Sequence, residues 1–251
     1  MIALTRWFWE VVVAAVFVAA VLAVLAIDLI APLDLNQPPG MFTWVQLQMM
    51  KVDPERCYAA LDRAQVDYKR WSEPMKDGCG FEAGAKLMSS GISHGNNFLM
   101  TCHGLAGLIL WERGVVAPAA ERYFGGSKLT QVKQMGTYSC RNIEHKKDRR
   151  RSEHATANAI DIGGFGFSNG AQLVLEKDWK DKGDKGAFLR EVRDGACKIF
   201  SVVLSPDYNP NHSNHFHMDM SFDRFAASAA MSCALVAHLR FSWRQRRGWP
   251  E

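Results

Sequence analysis

The chain of 251 residues predicts an α+β fold. Helical spacing dominates its first half, and short strands ending at glycine gather in its second. No segment repeats at periods of roughly 20 to 50 residues. Helices first and strands later favour α+β over a repeating βαβ alternation. A content of 48% hydrophobic and 22% charged residues excludes a mainly disordered chain. The net charge of +4 is too small an excess to argue for a nucleic-acid partner.

The first element is apolar. Val11 to Ile27 reads VVVAAVFVAAVLAVLAI without a break, and after Asp28 the apolar character resumes as LIAPL. Spanning a bilayer takes roughly 20 residues, so 1–33 is assigned as a transmembrane signal anchor. Glu10 and Asp28 then sit near the two interfaces, with Trp7, Phe8 and Trp9 as an aromatic belt. Arg6 precedes the segment while Asp28 and Asp34 follow it, which places the amino terminus inside and exports the body. The expected location is the inner membrane, single-pass, with the body in the periplasm. Val24-Leu25-Ala26 also offers a signal-peptidase pattern, which would release a secreted protein, but the apolar core exceeds the usual signal-peptide length of about 7–15 residues.

Residues 34–50, with Pro38-Pro39-Gly40, read as a linker. A single domain is assigned to 51–224. Asp53-Pro54 starts a helix that carries Cys57, Leu61 and Ala64 to about Tyr68. Asp77-Gly78-Cys79-Gly80 is a turn. Asn96-Asn97 opens a second helix through Phe98, Cys102, Leu105 and Ile109, and a third follows Pro118 and stops at Gly125-Gly126. Residues 131–141 and 155–165 look like strands, 186–200 returns to helical spacing, and 201–206 and 215–220 are strands. Residues 225–251 form a basic tail; its stretch Phe225 to Leu239 is too short to span a bilayer and suits, at most, an amphipathic helix on a membrane surface.

Six cysteines lie beyond the anchor, at positions 57, 79, 102, 140, 197 and 233, none of them as CxxC. An even number in an exported domain indicates disulfides, with Cys57–Cys79 expected as a local bridge. Buried free thiols in a cytosolic chain are the alternative.

The chemistry concentrates in HSNHFHMD, residues 212–219, which holds three of the chain's eight histidines. In an extended strand His215, His217 and Asp219 face one way, while Phe216 and Met218 face a core. Such a polar trio on a buried strand calls for an occupant, and imidazole with carboxylate suits zinc. Catalytic zinc usually takes three protein ligands, so the rest must come from elsewhere. In SEHATANAID, His154 precedes Asp161, a carboxylate set between Ile160 and Ile162, and a metal removes the cost of burying it.

SEHATANAID followed by HFH resembles the S-x-H-x6-D and H-x-H signature of zinc D-alanyl-D-alanine peptidases and their lysostaphin- and hedgehog-like relatives. YSCR, SEHATANAIDI, FLREVRDGACKIF and HSNHFHMDM together resemble the bacterial extensin-like C-terminal domain family, from about Cys57 to Asp219. The resemblance implies a small, mainly antiparallel sheet with packed helices, carrying zinc on His154, Asp161 and His217. It further implies that His215 is the catalytic histidine, that Arg141 of YSCR contacts the substrate carbonyl, and that Ser152 helps hold a substrate carboxylate. The implied activity is hydrolysis of amide bonds in peptidoglycan stem peptides or crosslinks. Asp219 is expected to orient a histidine ring, and His212 to line the rim.

Other readings compete. HFHMD imitates the HxHxDH stretch of metallo-β-lactamase-like hydrolases, but that pattern wants a histidine where this chain has Met220. A non-catalytic wall-binding module, using zinc to stabilise its fold, is the competing class. The basic segment HKKDRRR, 145–151, is either a solvated loop or a cationic lip that attracts anionic wall polymer.

Overall fold

The computed structural model describes residues 2–221. The tail 225–251, the amphipathic stretch read in it and Cys233 lie outside the described residues. Helix α1 (Ile2–Ile30) dominates the first of two units, which ends at Leu33. Its segment Trp9–Ile30, 22 residues, is long and apolar enough to cross a membrane, and none of it is buried against protein. At 1.5 Å per residue that segment measures about 33 Å, the thickness of a bilayer core. A signal sequence has the same character.

The second unit begins at Asp34. The linker expected over 34–50 contains a helix, α2 (Thr43–Val52), in which Thr43, Leu47, Gln48 and Met50 are buried. The Pro-Pro-Gly run is thus a turn into the body, closed by the Gly40 amide donating to Thr43 Oγ1 at 2.8 Å. Helix α3 (Pro54–Arg63) starts at its proline as expected but stops short of Tyr68, because Gln65 adopts φ 54° and reverses the chain. Strand β1 (Asp67–Lys76) follows, turns at Asp77 (φ 52°) and Gly78 (φ 75°), and pairs antiparallel with β2 (Cys79–Ser89). Two consecutive left-handed residues suit the turn of a right-twisted hairpin, and glycine meets that demand without strain. Neither strand is legible in the sequence. β1 is exposed along most of its length, so it shows no alternation of apolar and polar residues.

Strand β3 (Phe98–Thr101) completes the three-stranded sheet β1-β2-β3 where a helix start is expected. Helix α4 (Cys102–Trp111) begins after it and is buried along its whole length. A single π-helical turn, Glu112–Val116, joins it to α5 (Ala117–Tyr123), and the chain leaves through Gly125 and Gly126 at φ 60° and 81°.

The second sheet contains β4 (Leu129–Gly136), β5 (Ala159–Phe167), β6 (Gln172–Val174), β7 (Val202–Leu204) and β8 (Phe216–Asp219). Its order is β4-β5-β8-β7, with β6 also paired to β5, all antiparallel. Helices α6 (Leu175–Asp178) and α7 (Asp184–Ala196) interrupt it between β6 and β7. The expected 131–141 strand thus ends at Gly136, and residues Glu153–Thr156 form a 3-10 turn ahead of β5. The register of β4 against β5 slips around Gly163, which has no partner on β4. This bulge lets Ile160, Ile162, Phe165 and Phe167 all reach the core although their spacing changes parity. Phe165 and Phe188 meet edge to face at 5.3 Å, and Trp111 donates its indole hydrogen to the Val192 carbonyl at 2.8 Å.

The expected Cys57–Cys79 bridge is corrected. Cys57 pairs with Cys102, tying α3 to α4, and Cys79 pairs with Cys140, tying the hairpin to the segment after β4. Sequence proximity suggested the local pair, but Cys57 faces a neighbouring helix while Cys79 opens the hairpin's return strand. Cys197 is also disulfide-bonded, and no free cysteine remains among the described residues.

Phe216 and Met218 are fully buried, as strand alternation requires. Phe216→Ala is expected to lower unfolding free energy by about 3–5 kcal/mol, read as a shift of the urea midpoint at constant slope.

Candidate metal centre

Strand pairing assembles the site. Asp161 on β5 and His217 on β8 are direct partners, as are Ala159 and Asp219, so the carboxylates and the imidazole project from one face. Phe216 and Met218 anchor the opposite face of β8 in the core. His154 arrives from the 3-10 turn, where the Ser152 hydroxyl caps by accepting from the His154 amide at 3.4 Å. Ala157 then takes the left-handed conformation, φ 52°, and delivers the chain into β5. This corner explains how a seven-residue interval, wrong for one face of a strand, brings His154 beside Asp161.

Three donor atoms converge. His154 Nε2 lies 3.2 Å from His217 Nδ1 and 3.2 Å from Asp161 Oδ2, and His217 Nδ1 lies 3.0 Å from Asp161 Oδ1. The outer nitrogen of each ring is already committed. His154 Nδ1 donates to the Thr137 carbonyl at 2.7 Å, and His217 Nε2 donates to Asp219 Oδ2 at 3.2 Å. Carbonyl and carboxylate oxygens only accept, so neutral rings turn lone pairs inward on both histidines. Two imidazole lone pairs and a carboxylate facing one another require a cation among them. In the metal-free protein that cation is a proton. Burial pushes the His217 imidazole down, but hydrogen bonds to Asp161 and Asp219 outweigh it and raise its pKa to about 9. Burial likewise works against ionised Asp161, yet the imidazoles of His154 and His217 against its oxygens hold it well below the usual carboxylate range.

The donor set also fits a metal ion. Ligands about 2.0–2.1 Å from tetrahedral zinc stand roughly 3.3–3.4 Å apart, close to the observed separations of 3.2, 3.2 and 3.0 Å. Among the described residues, His154, Asp161 and His217 form the one group of three such side chains able to hold an ion. These are the three ligands implied by the sequence resemblance. Thr137 has no side-chain signal that sequence reasoning could use, because its carbonyl does the work.

His215 comes into the same site without joining the triangle. Asn214 Oδ1 accepts from its Nδ1 at 2.7 Å, and its Nε2 lies 3.6 Å from Asp161 Oδ1. Burial, against the opposing pull of Asp161 and with the positive fields of His217, His154 and Arg141, lowers its pKa and keeps the ring neutral at pH 7. Arg141 and Ser152 line the cavity above, about 730 Å³ in volume, and sit side by side because the Ser152 amide donates to the Arg141 carbonyl. Arg149, Arg150 and Arg151 form part of the wall, so the basic segment borders the site. The structure gives His212 more than a rim position. Its ring packs 5.1 Å from that of His215 and 5.9 Å from that of His217, and Asn209 holds its Nδ1 at 2.7 Å. Burial and those neighbours push the His212 pKa down to about 4. The H-x-x-H-x-H spacing was its only signal in the sequence. Tyr208 and Asn209, which also line the cavity, had none.

Comparison with known proteins gives one match. Residues 55–233, more than half of the chain, match the family model described as extensin-like protein C-terminus. No curated protein and no solved structure matches the chain.

The full chain is expected to bind one zinc ion per molecule, with His154→Ala and His217→Ala losing it and His215→Ala keeping it, measured by metal content after dialysis. The His217 proton, held up to about pH 9, must leave on binding. Affinity should therefore rise about tenfold per pH unit from pH 7 and level off above pH 9. Metal-free stability should move oppositely. A pKa raised from about 6.5 contributes stability that is complete below that value and lost as pH rises through about 9.

Proposed function

The chain belongs to the extensin-like C-terminal family, and we propose that it is an exported zinc peptidase acting on peptidoglycan stem peptides or crosslinks. The observation that carries the proposal is the triangle of His154, Asp161 and His217, of which Asp161 and His217 line a cavity with a cationic wall and His154 lies buried behind them. The motif likeness to zinc D-alanyl-D-alanine peptidases and hedgehog-like domains supports the same choice of ion and bond.

When bound, zinc polarises a carbonyl and brings the pKa of a coordinated water toward ~7. The protein's own groups divide the remaining work. His215 is held by Asn214 with its lone pair toward the ligand set, placed to take a proton from the attacking water and return it to the leaving amine. The Arg141 guanidinium, which makes no hydrogen bond or ion pair among the described residues, offers permanent charge to the oxyanion that develops on the scissile carbonyl. Ser152 accepts a backbone hydrogen bond through its oxygen, which leaves the hydroxyl hydrogen for a substrate carboxylate. Asp219 fixes the ring of His217. Arg149, likewise without an ion pair, draws anionic peptide toward the opening.

Helix α1 and the disulfides support a body held outside the cytoplasm by a single membrane anchor. A wall-binding module that uses zinc only as a staple has one observation in its favour: the ion would join the 3-10 turn to β5 and β8 at a well-buried point, His154 being 2% exposed.

His215→Ala separates the two. The peptidase should keep its zinc and lose about 10²–10⁴-fold in turnover of a synthetic stem peptide; parent and variant of equal turnover would remove His215 from catalysis. Arg149→Glu should raise KM for a carboxylate-bearing peptide about tenfold at low salt, with the difference fading near 1 M salt.

A further inference from the structure

The β1-β2-β3 sheet carries a feature that the metal centre does not use. Lys69 and Lys86 are direct cross-strand partners, and Trp71, opposite Gly84, lies two residues further along β1 on the same face. Like charges directly opposite one another destabilise a strand pair. No ion pair relieves this one among the described residues. The nearby carboxylates are engaged elsewhere, Glu55 with Arg70 and Glu73 with the Trp71 indole hydrogen at 2.8 Å. That last bond holds the indole in a set orientation while Trp71 stays 42% exposed. Lys86 Nζ lies 5.8 Å from the ring centroid. A fixed, partly exposed indole with Lys86 over one face, near two cations that make no ion pair among the described residues, is complementary to a sugar ring that carries anionic substituents nearby.

The same hairpin reaches the metal cavity. Its turn is held by Arg151, whose Nε donates to the Asp77 carbonyl at 2.9 Å and whose side-chain stem covers Gly78. Arg151 itself lines the cavity, and the Cys79–Cys140 disulfide fastens the turn end of the hairpin one residue before Arg141. Trp71 precedes Asp77 by six positions, about 20 Å of strand.

We propose that the Lys69–Trp71–Lys86 face of the hairpin, whose turn is tied to the wall of the metal cavity through Arg151, is a docking surface for a glycan strand bearing carboxylate-containing peptides. This rests on the peptidase reading for the identity of the polymer, but not for the existence of the surface. The indole stacks on a pyranose ring, and the two lysines take carboxylates of the attached peptides.

The test uses the full chain in detergent micelles, with purified sacculi, glycan strands stripped of peptides, and a free synthetic stem peptide as probes. Trp71→Ala should weaken co-sedimentation with sacculi and retention on stripped glycan about tenfold, while zinc content and turnover of the free peptide stay at the parent's level. Lys69→Glu combined with Lys86→Glu should weaken sacculus binding by a similar factor, in a salt-dependent way, and barely change stripped-glycan binding. The double variant keeps the test decisive if Trp71→Ala fails to fold, as judged by circular dichroism. Parent-level sacculus binding in the folded variants overturns the proposal. If the parent cleaves no peptide but the variants still lose sacculus binding, the docking surface stands and the peptidase reading fails.

Discussion

The site depends on electrostatic frustration resolved by one positive charge. His154, His217 and Asp161 present lone pairs to one another at about 3 Å, because Thr137 and Asp219 have already taken the outer hydrogen of each ring. Without a cation this grouping would expel itself from a buried position. A proton relieves it in part by closing one hydrogen bond, whereas a divalent ion satisfies all three donors at once. The outer hydrogen bonds therefore matter as much as the inner donors, since they decide which nitrogen faces inward.

The rest of the body keeps that grouping rigid. β8 is pinned by Phe216 and Met218 in the core and paired on both sides, to β5 and to β7. The bulge at Gly163 allows β5 to present Asp161 to the site and still bury Ile160, Ile162, Phe165 and Phe167. The long loop after β4 has little core of its own. It is held instead by Cys79–Cys140, by the pairing of Asn142 with Arg151, and by the Ser139 amide donating to the His154 carbonyl. Arg141 and Ser152 stand at the neck of that loop, so their positions are set by the same ties. A covalent bond and short backbone contacts replace hydrophobic burial where the chain lines the cavity.

Charge is distributed accordingly. Lys146 is paired with Glu144, and Arg151 is spent on the hairpin turn, so only part of the basic segment remains available to an anion. A count of basic residues therefore overstates the proposed lip; Arg149 lines the cavity and makes no ion pair among the described residues. The paired lysines on β1 and β2 extend positive potential away from the cavity along the hairpin, in the direction a polymeric ligand would need.

The sequence by itself determined the features that depend on local order. These are the apolar first helix, the proline-started α3, the glycine stop after α5, and the alternation in HFHMD that sends Phe216 and Met218 inward. It also marked His154, Asp161, His215 and His217 as the residues to bring together, because residue type and spacing carry the chemistry of metal binding. Three things only the tertiary structure decided. Cys57 joins Cys102 because two helices pack side by side, a fact without local signature. The β1-β2 hairpin escaped notice because an exposed strand has no buried face to impose a period of two. The inward nitrogen of His154 was set by the Thr137 carbonyl, seventeen positions away, which long-range packing places and no local pattern encodes; for His217 the partner Asp219 was already legible in the alternation of HFHMD.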